Sequence, residues 1–134
     1  MTQVIIGCGA GFAGDRFDAA VPVVRTLARC AGARFLIYEV LAERTLAIAH
    51  KLRREDPQAG YSPFLDLYLP LVLRDCFEHG IRIVTNMGAA NPLGAARAVR
   101  REARAMGIED LPVAVVTGDD VAEIVRKHPQ LPLM

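Results

Sequence analysis

The stretch Val4 to Arg16, VIIGCGAGFAGDR, constrains this chain more than any other, because an apolar run passes directly into a glycine-rich turn. Val4, Ile5 and Ile6 form the kind of apolar segment that parallel sheets bury on both faces, and Gly7 ends it. Gly9, Gly11 and Gly14 then fall at G-x-G-x-x-G spacing. Glycines so placed permit positive φ and allow backbone N–H groups to come close to a phosphate or carboxylate. Asp15 and Arg16 follow immediately, an acid and a base that a polar ligand could use. In a dinucleotide-binding turn the helix starts inside the glycines; here four polar or aromatic residues intervene and Asp18 is the expected N-cap, so a longer loop is predicted. A tight strand-to-helix turn that simply needs glycine is the plainer reading of the same residues.

The strand-and-turn pattern recurs along the chain. Ala19 to Cys30 reads as a helix with Val21, Val24, Leu27 and Ala28 on one face, closed by Gly32. Arg34 to Val40 is a second apolar strand ending in Glu39, with Glu43 and Arg44 a turn later. Helical spacing resumes from Leu41 and stops before Pro57. Ser62 and Pro63 start another helix, which Pro70 should kink and Gly80 should end. Ile81 to Thr85 is the third strand and runs into Asn86, Met87 and Gly88. Asn91 followed by Pro92 is a helix start, since asparagine caps the orphan N–H groups and proline fits the first helical position. Gly107 ends that helix, Val113 to Thr117 is the fourth expected strand, and Gly118, Asp119 and Asp120 open a last helix.

The order β-α-β-α-α-β-α-β-α specifies an α/β fold: a parallel sheet of about four strands with helices on both faces, Rossmann-like, within a single domain spanning 1–134. The opening of a (β/α) barrel would read alike. The apolar ending LPLM suggests the N-terminal piece of a larger α/β architecture. A chain of 134 residues with 52% hydrophobic content can bury a core and is not disordered. A net charge of +1, with the signs mixed, supplies no field for nucleic acid or an anionic membrane. No apolar run reaches the roughly 20 residues needed to span a bilayer. Cys8, Cys30 and Cys76 show neither metal-ligand nor disulfide spacing, which suits a reducing cytoplasm and predicts no metal site.

Each expected strand ends in glycine or a polar group, and in parallel α/β folds that edge is where ligands bind. The ligand-binding candidates are therefore Gly9, Gly11, Gly14, Asp15, Arg16, Glu43, Arg44, Asn86, Gly88, Asn91 and Asp120, with Glu39 and Asp119 as the acid or base groups. Asn86 and Gly88 are expected to line one cleft with Gly11 and Asp15. Helix capping alone would explain Asp18, Asn91 and Asp119. Cys8 lacks a nearby histidine to activate it, and His50, His79 and His128 read as surface residues. No cofactor is singled out by these residues.

The blocks GCGAGFAGDR, YEVLAERTLAIA, GYSP, GIRIVTNMGAANP and VAVVTGDDV, in this order, resemble the N-terminal part of the acyclic terpene utilisation protein family, AtuA. The resemblance implies a bacterial cytoplasmic protein of acyclic terpene catabolism, whose genes often lie near those for acyl-CoA carboxylase subunits, and a family architecture longer than this chain. Three expectations follow: a metabolic enzyme, or its site-bearing part, acting on an acyl-CoA or similar anionic metabolite; a non-catalytic scaffold partnering a carboxylase subunit or a second copy of the chain; and, from the glycines and Glu39, a dinucleotide-binding module.

Overall fold

A computed structural model describes residues 3–130. The LPLM ending, with its bearing on a larger architecture, lies outside the described residues. Strand β1 (Val4–Ala10) pairs in parallel with β2 (Ala33–Tyr38), and β2 with β3 (Arg82–Thr85), so the sheet order is β1-β2-β3. Ala10, Tyr38 and Thr85 are in register and mark a common C-terminal edge.

Helix α1 (Ala20–Ala28) makes the first crossover and lies close on β1: a Cβ added to Gly7 would overlap Val23 and come 3.1 Å from Leu27. After β2 the chain forms α2 (Glu43–Glu55), the short α3 (Leu65–Tyr68), a 3-10 turn at Leu69–Leu71 and α4 (Leu73–Glu78). Pro70 sits in that turn and interrupts the helical run where a ring without an N–H should. Gly80, at φ 62°, lets the chain leave α4 toward β3. Helix α5 (Pro92–Ala105) starts at the predicted asparagine cap and α6 (Ala122–Lys127) closes the described chain. The core contains Val24, Leu27, Leu36, Tyr38, Tyr68 and Val72, all buried between the sheet and the helices.

Three sequence expectations need correction. Among the described residues the sheet has three strands, not four. In residues 111–117 burial alternates, with Leu111, Val113 and Val115 partly buried and Pro112, Ala114 and Val116 exposed, but they form no ladder with β3. Their alternation is that of a strand, and strand propensity is expressed only through pairing. Secondly, among the described residues the helices cover one face rather than both. A strand order that advances in one direction, joined by right-handed crossovers, sends every crossover helix to the same side. The other face bears Val4, Ile6 and Val84 at 58%, 66% and 50% exposure. The order has no reversal among the described residues, so the crevice of a Rossmann-like sheet is missing there. Thirdly, Asp18 does not cap α1; Ala19 holds that position and the Asp18 carboxylate is paired with Arg16.

Candidate functional site at the C-terminal edge of the sheet

The glycine loop closes on Asp15. Its carboxylate accepts from the N–H of Gly11 at 2.9 Å and of Arg16 at 2.7 Å, and the Tyr68 hydroxyl donates to the Asp15 carbonyl at 3.0 Å. Those backbone donors hold the Asp15 carboxyl below its ordinary range, that of Gly11 first. They are thereby spent within the loop. Arg16 donates through Nε and Nη2 to the two oxygens of Asp18, at 2.7 and 2.8 Å, a pairing that raises the guanidinium pKa and lowers that of Asp18. Both side chains are exposed, so the pair is worth little to stability. Gly9 belongs to β1, where an added Cβ would lie 2.8 Å from the Tyr38 ring, and Gly14 adopts φ 83° beneath Phe64. These two glycines answer to packing and backbone conformation.

The second group joins the ends of β2 and β3. Asn86 donates through Nδ2 to Glu39 Oε1 at 2.8 Å, and its Oδ1 accepts from the Val40 N–H at 2.9 Å. The Leu41 N–H adds a bond to the same Glu39 oxygen at 3.2 Å. The Asn86 amide, with the Leu41 N–H second, holds the Glu39 carboxyl below its usual range, favouring a charged acceptor over an acid. Asn86 is partly buried and stands at the same edge as Asp15, with β2 between them. Glu43 and Arg44 are exposed in the first turn of α2.

Gly88 and Asn91 shape the loop into α5. A Cβ on Gly88 would be 2.9 Å from Pro92. Asn91, 5% exposed, accepts from the Gly94 N–H through Oδ1 and donates through Nδ2 to the carbonyls of Pro57, Gln58 and Ala59. Its polar atoms are engaged in fixing two loops, as a cap and a latch. Between them Ala89 sits at φ 44°, a left-handed conformation that alanine rarely takes.

Asp119 and Asp120 belong to a third group. Together with Thr117 and Gly118 they line a cleft of about 250 Å³ that is also lined by Leu46, His50 and Arg53 of α2 and by residues 89–93. Asp120 also accepts from the Ala122 N–H at 3.1 Å, at the start of α6. His50 and Arg53 were not among the sequence candidates. Their spacing with Leu46, at i, i+4 and i+7, was available as one helical face, but nothing in sequence says what that face meets. A cleft of about 310 Å³ between α1 and α4 gathers Arg25, Arg29 and His79 at helix C-terminal ends, where cations offset the negative end of the dipole and an anion is disfavoured.

Among the described residues no group of three or more His, Cys, Asp or Glu is placed to hold a metal ion, and no helix is long and apolar enough to cross a membrane. Exposed Cys8 points its thiol at the Ala10 carbonyl, 3.2 Å away. Buried Cys76 has its pKa pushed up to about 12 by desolvation.

The fold and the polar loops define a parallel α/β protein whose candidate chemistry is gathered along one sheet edge. The profile of the acyclic terpene utilisation family protein AtuA matches residues 4–132, nearly the whole chain, and the chain belongs to that family. No curated protein and no solved structure gives a significant match.

Proposed function

We propose that this AtuA-family protein acts in the cytoplasm in acyclic terpene catabolism, and that the C-terminal edge of its sheet binds an acyl-CoA or similar anionic metabolite. The observation that carries this reading is the gathering of three preorganised polar groups at one edge: the Asp15 loop, the Glu39–Asn86 pair and the cleft holding Asp119 and Asp120. Rigid loops at the strand C-termini are where parallel α/β proteins bind ligands. In an enzyme of this kind Asp119 serves as the proton acceptor, and Glu39, kept ionised by Asn86, orients or charges the site more readily than it donates a proton. Calorimetric titration of the protein with an acyl-CoA ester, free CoA and NAD tests this reading. Heat from the acyl-CoA alone or with CoA supports it, and no heat from any of the three refutes it.

A second reading, a scaffold that docks a carboxylase subunit or another copy of the chain, is favoured by the uncovered sheet face carrying Val4, Ile6 and Val84. Parallel sheets are ordinarily covered on both faces. Loss of growth on acyclic terpenes with Ile6→Asp, but not with Glu39→Gln or Asp119→Asn, selects it. Dinucleotide binding has the least support, since α1 begins six residues after Gly14 and the Gly11 donor is already bonded to Asp15.

A further inference from the structure

We infer that this protein pairs with a second copy of itself by exchanging helix α6, whose apolar stripe docks on the uncovered face of the partner's sheet. This goes beyond the metabolite-binding reading; it rests on the docking reading for the face and gives that face one occupant. By the register of the strands, Ile6, Phe35 and Arg82 lie in one row across it, and Cys8, Ile37 and Val84 in the next. Val4 precedes Ile6 on the same side of β1, and Val4, Ile6 and Val84 are each at least half exposed. A parallel sheet is ordinarily buried on both faces, so this one lacks a layer.

The layer that covers such a face is helical, and the same chain has a helix without a sheet. Helix α6 has no buried residue, and every residue from Val116 to Gln130 is exposed. Yet Val121, Ile124 and Val125 recur at i, i+3 and i+4 and so share one side, at 50%, 56% and 52% exposure. A stripe of that spacing belongs to a helix that faces a core. Glu123, Arg126 and Lys127 lie on the other side, where Glu123 pairs with Arg126 at 2.9 Å and with Lys127 at 4.0 Å. Sheet face and helix stripe are thus both bare in one molecule, and its own helix does not cover its own sheet.

Charge and symmetry select a second copy as the occupant. Arg82 is the charged residue of the two rows; its guanidinium lies 5.6 Å from the centroid of the Phe35 ring and has no carboxylate partner among the described residues. Asp120 stands beside Val121 at the start of the stripe, so a docked α6 brings a carboxylate to a face that holds an unpaired cation. A two-fold axis sets α6 of each copy on the sheet of the other, which covers both bare surfaces twice in one operation and closes the assembly. A helix from an unrelated protein would cover the sheet and leave α6 bare. Because α6 has six residues, under two turns, the pair falls at the small end of specific interfaces, with a Kd in the micromolar range.

Analytical ultracentrifugation of the purified protein tests the exchange, and the wild type is expected to sediment as a monomer–dimer equilibrium. Ile6→Asp and Ile124→Asp should each weaken it more than about ten-fold and Arg82→Glu about five-fold, while Lys127→Ala, on the far side of α6, changes nothing. Val84→Asp replaces Ile6→Asp if that variant does not fold. The deciding sample is an equimolar mixture of Ile6→Asp and Ile124→Asp. Each variant alone has no intact docking, but a mixed pair has one, so dimer must reappear. A wild type that is monomeric at about 1 mM, a dimer indifferent to Ile124→Asp or to Arg82→Glu, or a mixture no more associated than its components each overturns the inference. Growth on acyclic terpenes separates this from the docking reading. A monomeric wild type that loses growth with Ile6→Asp overturns the exchange and leaves a different partner on that face. A dimer that Ile124→Asp disrupts without loss of growth supports the exchange and removes docking as the protein's role.

Discussion

Asn91→Ala should be among the most damaging single substitutions outside the central core. The side chain does two things at once: Oδ1 caps α5 through the Gly94 N–H at 2.9 Å, and Nδ2 reaches the carbonyls of Pro57, Gln58 and Ala59 at 3.2, 3.3 and 2.8 Å. Loss of an asparagine cap costs about 1 kcal/mol. Removing the shared donor from carbonyls in a part-buried loop adds about 1–3 kcal/mol, so the total is about 2–4 kcal/mol. For a chain of this length that corresponds to a fall in Tm of about 10 °C. Asn91→Asp separates the contributions, because the carboxylate still caps the helix but offers no donor and brings its charge toward three carbonyl oxygens. Chemical denaturation followed by far-UV circular dichroism should therefore rank wild type above both variants, with Asp no better than Ala by more than the cap's value. An Ala variant within about 0.5 kcal/mol of wild type, or an Asp variant equal to wild type, would refute the latch. The same variants should loosen the cleft, since residues 89–93 line it and Asn91 ties them to the 57–59 loop.

Gly7→Ala should destabilise by about 1–3 kcal/mol, the usual cost of overpacking, because the new Cβ meets Val23 and Leu27 of α1; an unchanged denaturation midpoint would show that α1 can move away. Asp15, Asp18 and Glu39 all have depressed pKa values, so their contribution is present above the ordinary carboxylate range and is lost as pH falls through the depressed values. Denaturation midpoints from pH 7 to pH 2.5 should decline below about pH 4, and Glu39→Gln, which still accepts from Asn86, should soften that decline. A thiol reagent at neutral pH should modify Cys8 in the native protein and spare Cys76 until unfolding, since Cys76 is buried with its pKa near 12. Equal rates at the two sites would contradict the packing of α4. Ile6→Lys should change the stability of the monomer by less than about 0.5 kcal/mol because that side chain is 66% exposed; a larger loss would mean that the face is covered in solution.

The elements written in local chemistry were legible in sequence. Asn91–Pro92 opens α5, Pro70 breaks the third helical run, and Gly80 and Gly107 take the positive φ that ends their helices. The second and third strands lie close to where their apolar runs predicted, the first continues past Gly7 and Gly9 to Ala10 instead of ending at Gly7, and the ends of all three meet one edge. What was not legible depends on pairing across distance. Val113 to Thr117 has the composition of a strand, but whether it joins a ladder depends on how α5 returns it to β3, and no local residue encodes that return. Helices on both faces could not be told from helices on one, because a parallel strand is apolar on both sides whichever layer covers it. His50 and Arg53 escaped for a related reason: a helix face carrying Leu46 between polar neighbours reads as solvated surface until the loops of residues 89–93 and 117–120 are laid against it.

The glycine loop shows why a polar residue beside glycines is ambiguous evidence for a ligand. A loop that leaves a strand without entering a helix at once exposes backbone N–H groups, and they must be satisfied by water, by a ligand or by the loop itself. Asp15 satisfies two of them and Tyr68 fixes its carbonyl, so the residues that look most like a binding motif stabilise an empty loop. Arg16, the natural companion of a bound anion, has Asp18 instead. By contrast the start of α5 leaves the Leu93 N–H unpaired among the described residues, because proline removes one donor, asparagine takes another and nothing in the loop reaches the third. A donor left unspent by its own loop is open to water or to a ligand, which glycine spacing alone does not establish. In this chain Leu93 borders the cleft that Arg53 also lines, away from the glycine motif that first draws attention.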